Sequence, residues 1–119
     1  MNHRDYIILG KIISELDVAK DLLGDEDVKN FEADEKTKRA VCMTVINIGE
    51  LVKNITDDTR KKYHDVPWKY AAGFRDIAAH KYQTLRMEDV YETVITDFPS
   101  LKKQIEEILD QPYEIKKTE

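Results

Sequence analysis

"VCMTVINIGELVKNI" (Val41–Ile55) decides how this chain folds. Val41, Val45, Ile48, Val52 and Ile55 recur at four- and three-residue steps, which is one face of an α-helix. Cys42, Ile46 and Gly49 form a second stripe beside the first. A helix that is apolar over two adjoining stripes meets neighbours on more than one side, so this one is expected at the centre of the fold. Gly49 inside it lowers helix propensity by about 1 kcal/mol relative to Ala. Close approach of another helix would account for that choice. The pattern extends the helix from about Glu35 to about Ile55, with Asp34 as its N-cap.

Working outward, Leu9, Ile12, Ile13, Leu16, Ala19 and Leu23 mark a helix between Asp5 and Leu23. Residues 24–35 are acidic and aperiodic and begin with Gly24, so they read as a loop following a helix C-cap. Downstream, Thr56–Val66 reads as a short helix capped by Thr56, and Pro67 stands at a plausible first helical position of the next segment. Met87, Tyr91, Val94, Phe98, Leu101, Ile105 and Ile108 mark a closing helix with the stepping of a bundle. Pro99 should kink that helix without ending it, because the periodicity survives it. The expected fold class is all-α: an antiparallel bundle of four to five helices, one domain over residues 1–110, and a polar tail over residues 111–119.

Composition agrees. Four Gly and three Pro are too few for an all-β chain full of tight turns, and 36% charged residues suit helices with solvated outer faces. The single cysteine, Cys42, lies in an apolar run and reads as a core residue of a protein from a reducing compartment. Three histidines and one cysteine leave little for a zinc site, and neither a metal nor a cofactor is expected. The N-terminus has no signal-peptide pattern and no apolar run reaches membrane-spanning length, so a cytoplasmic location is expected.

The net charge of −5 argues mildly against a nucleic-acid binder, but its distribution is uneven. Residues 60–86 hold seven basic side chains against two acids, a local charge of +5, which leaves −10 on the rest. Within that basic part lies "GFRDIAAHKY" (Gly73–Tyr82), where Arg75, Asp76, His80 and Tyr82 stand among small apolar residues. On a continuous α-helix the five-residue step from Arg75 to His80 turns by about 140°, so the two would not aim at one point. One reading is structural: Arg75 is solvated, Asp76 pairs with His80 four residues on, and Tyr82 packs against the bundle. The other is chemical. Arginine's planar fork clamps a phosphate, histidine moves protons near neutral pH, and together they suit metal-independent RNA cleavage by the ribose 2′-hydroxyl. Then either the helix breaks between the two residues or two subunits meet at a shared cleft.

"RDIAAHKY" has the form Arg–x4–His–x–Tyr, and here the chain resembles the HepT-like branch of the HEPN superfamily. "VINIGELVKNI" is similar to that branch's Ile–Gly–Glu helix (Ile48, Gly49, Glu50), and Pro67 and Trp68 precede Arg75 as they do there. "RDYIILGKIISEL" and "DFPSLKKQIEEIL" resemble its first and closing helices, so the likeness spans about residues 4 to 110. Gln83 departs from the aromatic residue often found after the tyrosine. The resemblance implies a dimeric helical ribonuclease, the toxin of a toxin–antitoxin pair, with the motifs of both subunits in one cleft. It implies Arg75 on the phosphate, His80 as acid or base, and Asp76 in support. A MntA-like minimal nucleotidyltransferase would be the partner and antitoxin, transferring AMP to Tyr82. It leaves a second possibility, a non-catalytic subunit that holds nucleotide or substrate for that nucleotidyltransferase. Trp68 reads as core, and Arg60–Lys62 as a solvated run unless it borders the cleft.

Overall fold

The computed structural model of the chain describes residues 1–77 and 82–112. Among these residues the secondary structure is entirely helical. Helix α1 spans His3–Leu23, α2 Val28–Ala33, α3 Glu35–Lys53, α4 Asp57–Lys62 and α5 Trp68–Ala72. A 3₁₀ turn follows at Gly73–Ile77 and another at Tyr82–Thr84. The chain closes with α6 (Met87–Glu92), a π-turn (Thr93–Asp97) and α7 (Phe98–Leu109), which run on without a break. His80 and residues 113–119 of the expected tail lie outside the described residues.

Helix α3 is central, as its two stripes require. It packs against α1, α2, α5 and the Gly73–Ile77 turn. Val41, Val45, Ile48 and Val52 are buried on one stripe and Cys42 and Gly49 on the other. The bundle is antiparallel where cross-links fix its direction. Asp5 of α1 meets Thr56 beyond the end of α3, while Glu15 meets Asn47. Likewise Tyr91 bonds the Glu26 carbonyl just past α1, and Lys102 reaches back to Asp17 at 2.7 Å. Leu9, Ile12, Leu16, Ala19 and Leu23 of α1 complete the core together with Phe98, Leu101, Ile105 and Ile108 of α7.

Two local features differ from the sequence reading, the stretch before α3 and the Thr56 cap, while Pro99 follows it. The acidic stretch before α3 is not all loop: α2 forms there, capped by the Asp27 side chain on the Asn30 N–H, and buries Phe31 against Tyr91. Pro99 does not end the closing helix, as the surviving periodicity requires. Proline has no N–H for the carbonyl four residues back; the turn before it widens, and the Phe98 N–H bonds the Thr93 carbonyl five residues earlier. Thr56 does cap α4 by position, but its hydroxyl is turned to Asp5.

Asp5 is fully buried. Its carboxylate accepts from the Thr56 N–H (3.2 Å), the Thr56 hydroxyl (2.6 Å) and the Thr59 hydroxyl (2.6 Å), tying the start of α1 to α4. Asp5→Ala strands these donors in the core and should lower the unfolding free energy by about 3 kcal/mol, measured by urea denaturation. Cys42 is buried with its thiol pushed up to about 11 by burial, so it stays protonated at neutral pH. It should resist iodoacetamide in the folded protein and react in urea, as intact mass would record.

Candidate functional site

The α-helix ends at Ala72, ahead of the motif, and tightens into the 3₁₀ turn that carries Arg75 and Asp76. A turn of about 140° from Arg75 to His80 presupposes α-geometry from Arg75 onward, whereas Arg75 already lies in a turn of about three residues. Gly49 explains how the turn is seated. A Cβ at position 49 would collide with the Arg75 backbone nitrogen and stand 3.0 Å from the Phe74 carbonyl carbon and 3.1 Å from the Arg75 Cα. The close neighbour that the glycine admits is therefore this turn's backbone, not another α-helix. Phe74 anchors the turn on its other side, edge-on to Tyr70 and 5.8 Å from Phe98.

The Arg75 side chain is 35% exposed. Its Nη1 lies 3.9 Å from Glu50 Oε1 and its Nε 3.8 Å from Asp76 Oδ1. Both separations exceed hydrogen-bonding range, so the two carboxylates attract the guanidinium without binding its fork. Asp76 stands beside Arg75, and its expected pairing with His80 lies outside the described residues. Glu50 also lines a groove of about 390 Å³ between α1 and α3, together with Lys11, Ser14, Glu15, Asn47 and Leu51. Glu50 is thus shared between the groove lining and the surroundings of Arg75.

Tyr82 is elsewhere. Its ring is partly buried against the core, and its hydroxyl donates to Glu35 Oε2 at 3.1 Å, in the first turn of α3. The Arg39 guanidinium stacks on the ring, 4.5 Å from its centroid. Glu35 holds Arg39 Nε and Lys38 Nζ at 2.9 Å each. Burial, followed by the hydrogen bond to Glu35, raises the phenol above its usual value, so it remains neutral in the physiological range. Glu35 is held below its usual value, first by the Lys38 hydrogen bond. Arg39 and Glu50 are eleven positions apart on α3, about 17 Å along the axis. Within one protomer Arg75 and Tyr82 are therefore anchored at well-separated levels of α3.

Glu35, Lys38 and Arg39 went unnoticed in the sequence because an i,i+3 and i,i+4 charge set at a helix start is an ordinary surface pattern. Of the basic run after Thr56, Arg60 is spoken for: it donates to the Val52 and Ile55 carbonyls and caps α3. Trp68 is core, its indole N–H on the Tyr63 carbonyl. Among the described residues no three potential ligands cluster as a metal site, and no helix is long and apolar enough to cross a membrane.

Comparison with known proteins completes the picture. The family described as "Ribonuclease HepT-like" matches residues 12–108. A Methanocaldococcus jannaschii protein named "Putative RNase MJ0127" is 38% identical over 104 residues, 87% of this chain and 83% of the relative. "Putative RNase TTE0752" of Caldanaerobacter subterraneus subsp. tengcongensis is 37% identical over 83 residues, 70% and 74% of the two chains. "Probable ribonuclease HepT" of Thermococcus cleftensis is 31% identical over 107 residues, 90% of this chain and 96% of the relative. No solved structure matches significantly. With its all-helical bundle and a family match over most of its length, the chain belongs to the HepT-like family.

Proposed function

We propose that this chain is a cytoplasmic, metal-independent ribonuclease, the toxin of a type VII toxin–antitoxin pair, and that it works as a homodimer. The observation that carries the reading is Arg75, in a HepT-like chain, set by backbone packing at Gly49 with its fork free of hydrogen bonds among the described residues. Such a fork takes the non-bridging oxygens of an RNA phosphate and stabilises the charge that grows on them. The neighbouring ribose 2′-oxygen attacks phosphorus, a 2′,3′-cyclic phosphate forms, the bond to the 5′-oxygen breaks, and a 5′-hydroxyl leaves. His80 relays the proton between the two oxygens. Asp76 and Glu50 steady the guanidinium by charge. Exposed Ile7, Val18 and Leu22 on one side of α1, with exposed Met43 on α3, supply apolar surface for the second subunit.

The antitoxin in this reading is a MntA-like minimal nucleotidyltransferase that transfers AMP to Tyr82. The phenolic oxygen attacks the α-phosphorus of a nucleoside triphosphate, the new ester bond forms, pyrophosphate leaves, and the phenolic proton is lost. Given the separation along α3, the ester acts at a distance from Arg75 of its own protomer, through the length of the nucleotide or at the shared cleft.

One observation favours the alternative, a non-catalytic nucleotide- or substrate-binding subunit of the nucleotidyltransferase. Two carboxylates stand within 4 Å of Arg75, in a chain of net charge −5, which opposes an RNA phosphate. The deciding experiment is cleavage of labelled RNA by protein whose intact mass shows no AMP. Wild type should cut and His80→Ala should be slower by about 10²–10⁴-fold. Equal rates sink the catalytic role. No cleavage by wild type, with stable binding of the nucleotidyltransferase, selects the alternative.

A further inference from the structure

Tyr82 sits on a preassembled ion-pair hub. The Glu35 carboxylate receives three donors: the Tyr82 hydroxyl and Arg39 Nε on Oε2, and Lys38 Nζ on Oε1. Lys38 is only 15% exposed, so its ammonium depends on a protein partner more than a surface lysine does. Arg39 lies over the ring that carries the hydroxyl. An ester at the Tyr82 oxygen has no proton to donate to Glu35. Its negative charge would also stand where Glu35 already holds one, and like charges at contact repel. Two cations, meanwhile, are within a side chain's swing of that oxygen.

We propose that Lys38 and Arg39 form the binding site for an anionic phosphoester on Tyr82, and that modification exchanges their partner from the Glu35 carboxylate to the ester. The device rests on the reading of Tyr82 as the modified residue and adds what the fold does with the modification. Unmodified, the phenol, Glu35 and the two cations form a closed set at the start of α3. Modified, Glu35 is expelled to solvent and the phosphoester takes its place, pinned by Arg39's fork and Lys38's ammonium. The exchange leaves local charge balanced, so the fold accommodates a bulky anion without unfolding.

The test needs no partner protein. Sulfotyrosine encoded at position 82 places a singly charged ester on the same oxygen, matching the charge of a phosphodiester. In the tyrosine protein, Glu35→Gln should move the NMR signals of Arg39 Nε–H and Lys38 Nζ. In the sulfotyrosine protein both signals should have shifted already and should ignore Glu35→Gln. Lys38→Ala with Arg39→Ala should lower Tm by about 3–5 °C more in the sulfotyrosine protein than in the tyrosine protein. Signals that are the same in both proteins, signals still sensitive to Glu35→Gln after sulfation, or equal Tm shifts would each overturn the exchange. Intact mass after co-expression with a minimal nucleotidyltransferase reads the other claim: an unmodified Tyr82 removes it as the natural acceptor, whatever the sulfotyrosine result.

Discussion

Arg75→Ala should lower single-turnover RNA cleavage by about 10²–10³-fold, the loss typical of removing one preorganised donor to a developing anion. The size of that loss separates catalysis from simple binding. A lysine or arginine that only attracts RNA can be replaced with a modest rise in KM and a flatter salt dependence. A fork aimed at the scissile phosphate acts mainly on the chemical step. Arg75→Lys keeps the charge and discards the fork, so it should recover binding and little of the rate. Glu50→Gln provides the control. Its carboxylate stands 3.9 Å from the guanidinium without hydrogen bonding it, so binding of RNA should tighten and the cleavage step should change by less than about tenfold. If Arg75→Ala cuts RNA at the wild-type rate, the assignment of this arginine is wrong.

Gly49→Ala is the second large effect, and intuition runs the wrong way. In an exposed helix the change would stabilise by about 1 kcal/mol. Here the new methyl group meets backbone, the Arg75 nitrogen and the carbons on either side of it, none of which can rotate aside. Overpacking of this kind costs about 1–3 kcal/mol. The net change in Tm should be a fall of a few degrees. Cleavage should fall further, by about 10²-fold, because the methyl displaces the turn that aims Arg75 and small misplacements are expensive in rate. Thermal melting and single-turnover kinetics on the same preparation check both halves. Wild-type values in both would mean the turn has room that its geometry denies.

The helices were legible because they obey a period. The stripes of α1, α3 and the closing helix named the core almost residue for residue: of the first stripe read in α3, Val41, Val45, Ile48, Val52 and Ile55 are all buried. The short α2 was hidden because six residues span less than two turns and give too few repeats to register. Asp5 looked like any acid in a first turn; its role depends on two threonines more than fifty residues away, and sequence periodicity carries no such information. The site divides in the same way. Arg75, Asp76 and Tyr82 were picked out by motif and charge. Their surroundings were not, because Gly49, Glu50, Glu35 and Arg39 reach them only once α3 lies alongside. Gly49 did leave a trace, as a residue with no local reason to be there.

Helix α3 holds Tyr82 near its beginning and the Arg75 turn near its end, and this makes it a gauge as well as a core element. Substitutions along it change fit, whereas changes in length change angle. One residue added between Arg39 and Gly49 turns the second anchor by about 100° relative to the first, away from its turn. Seven added residues nearly restore the angle but push the anchors about 10 Å further apart. No insertion satisfies both. Variation in chain length is therefore confined to the connections, such as that between α1 and α2, while residues 35–49 are fixed in number even where they are free in kind.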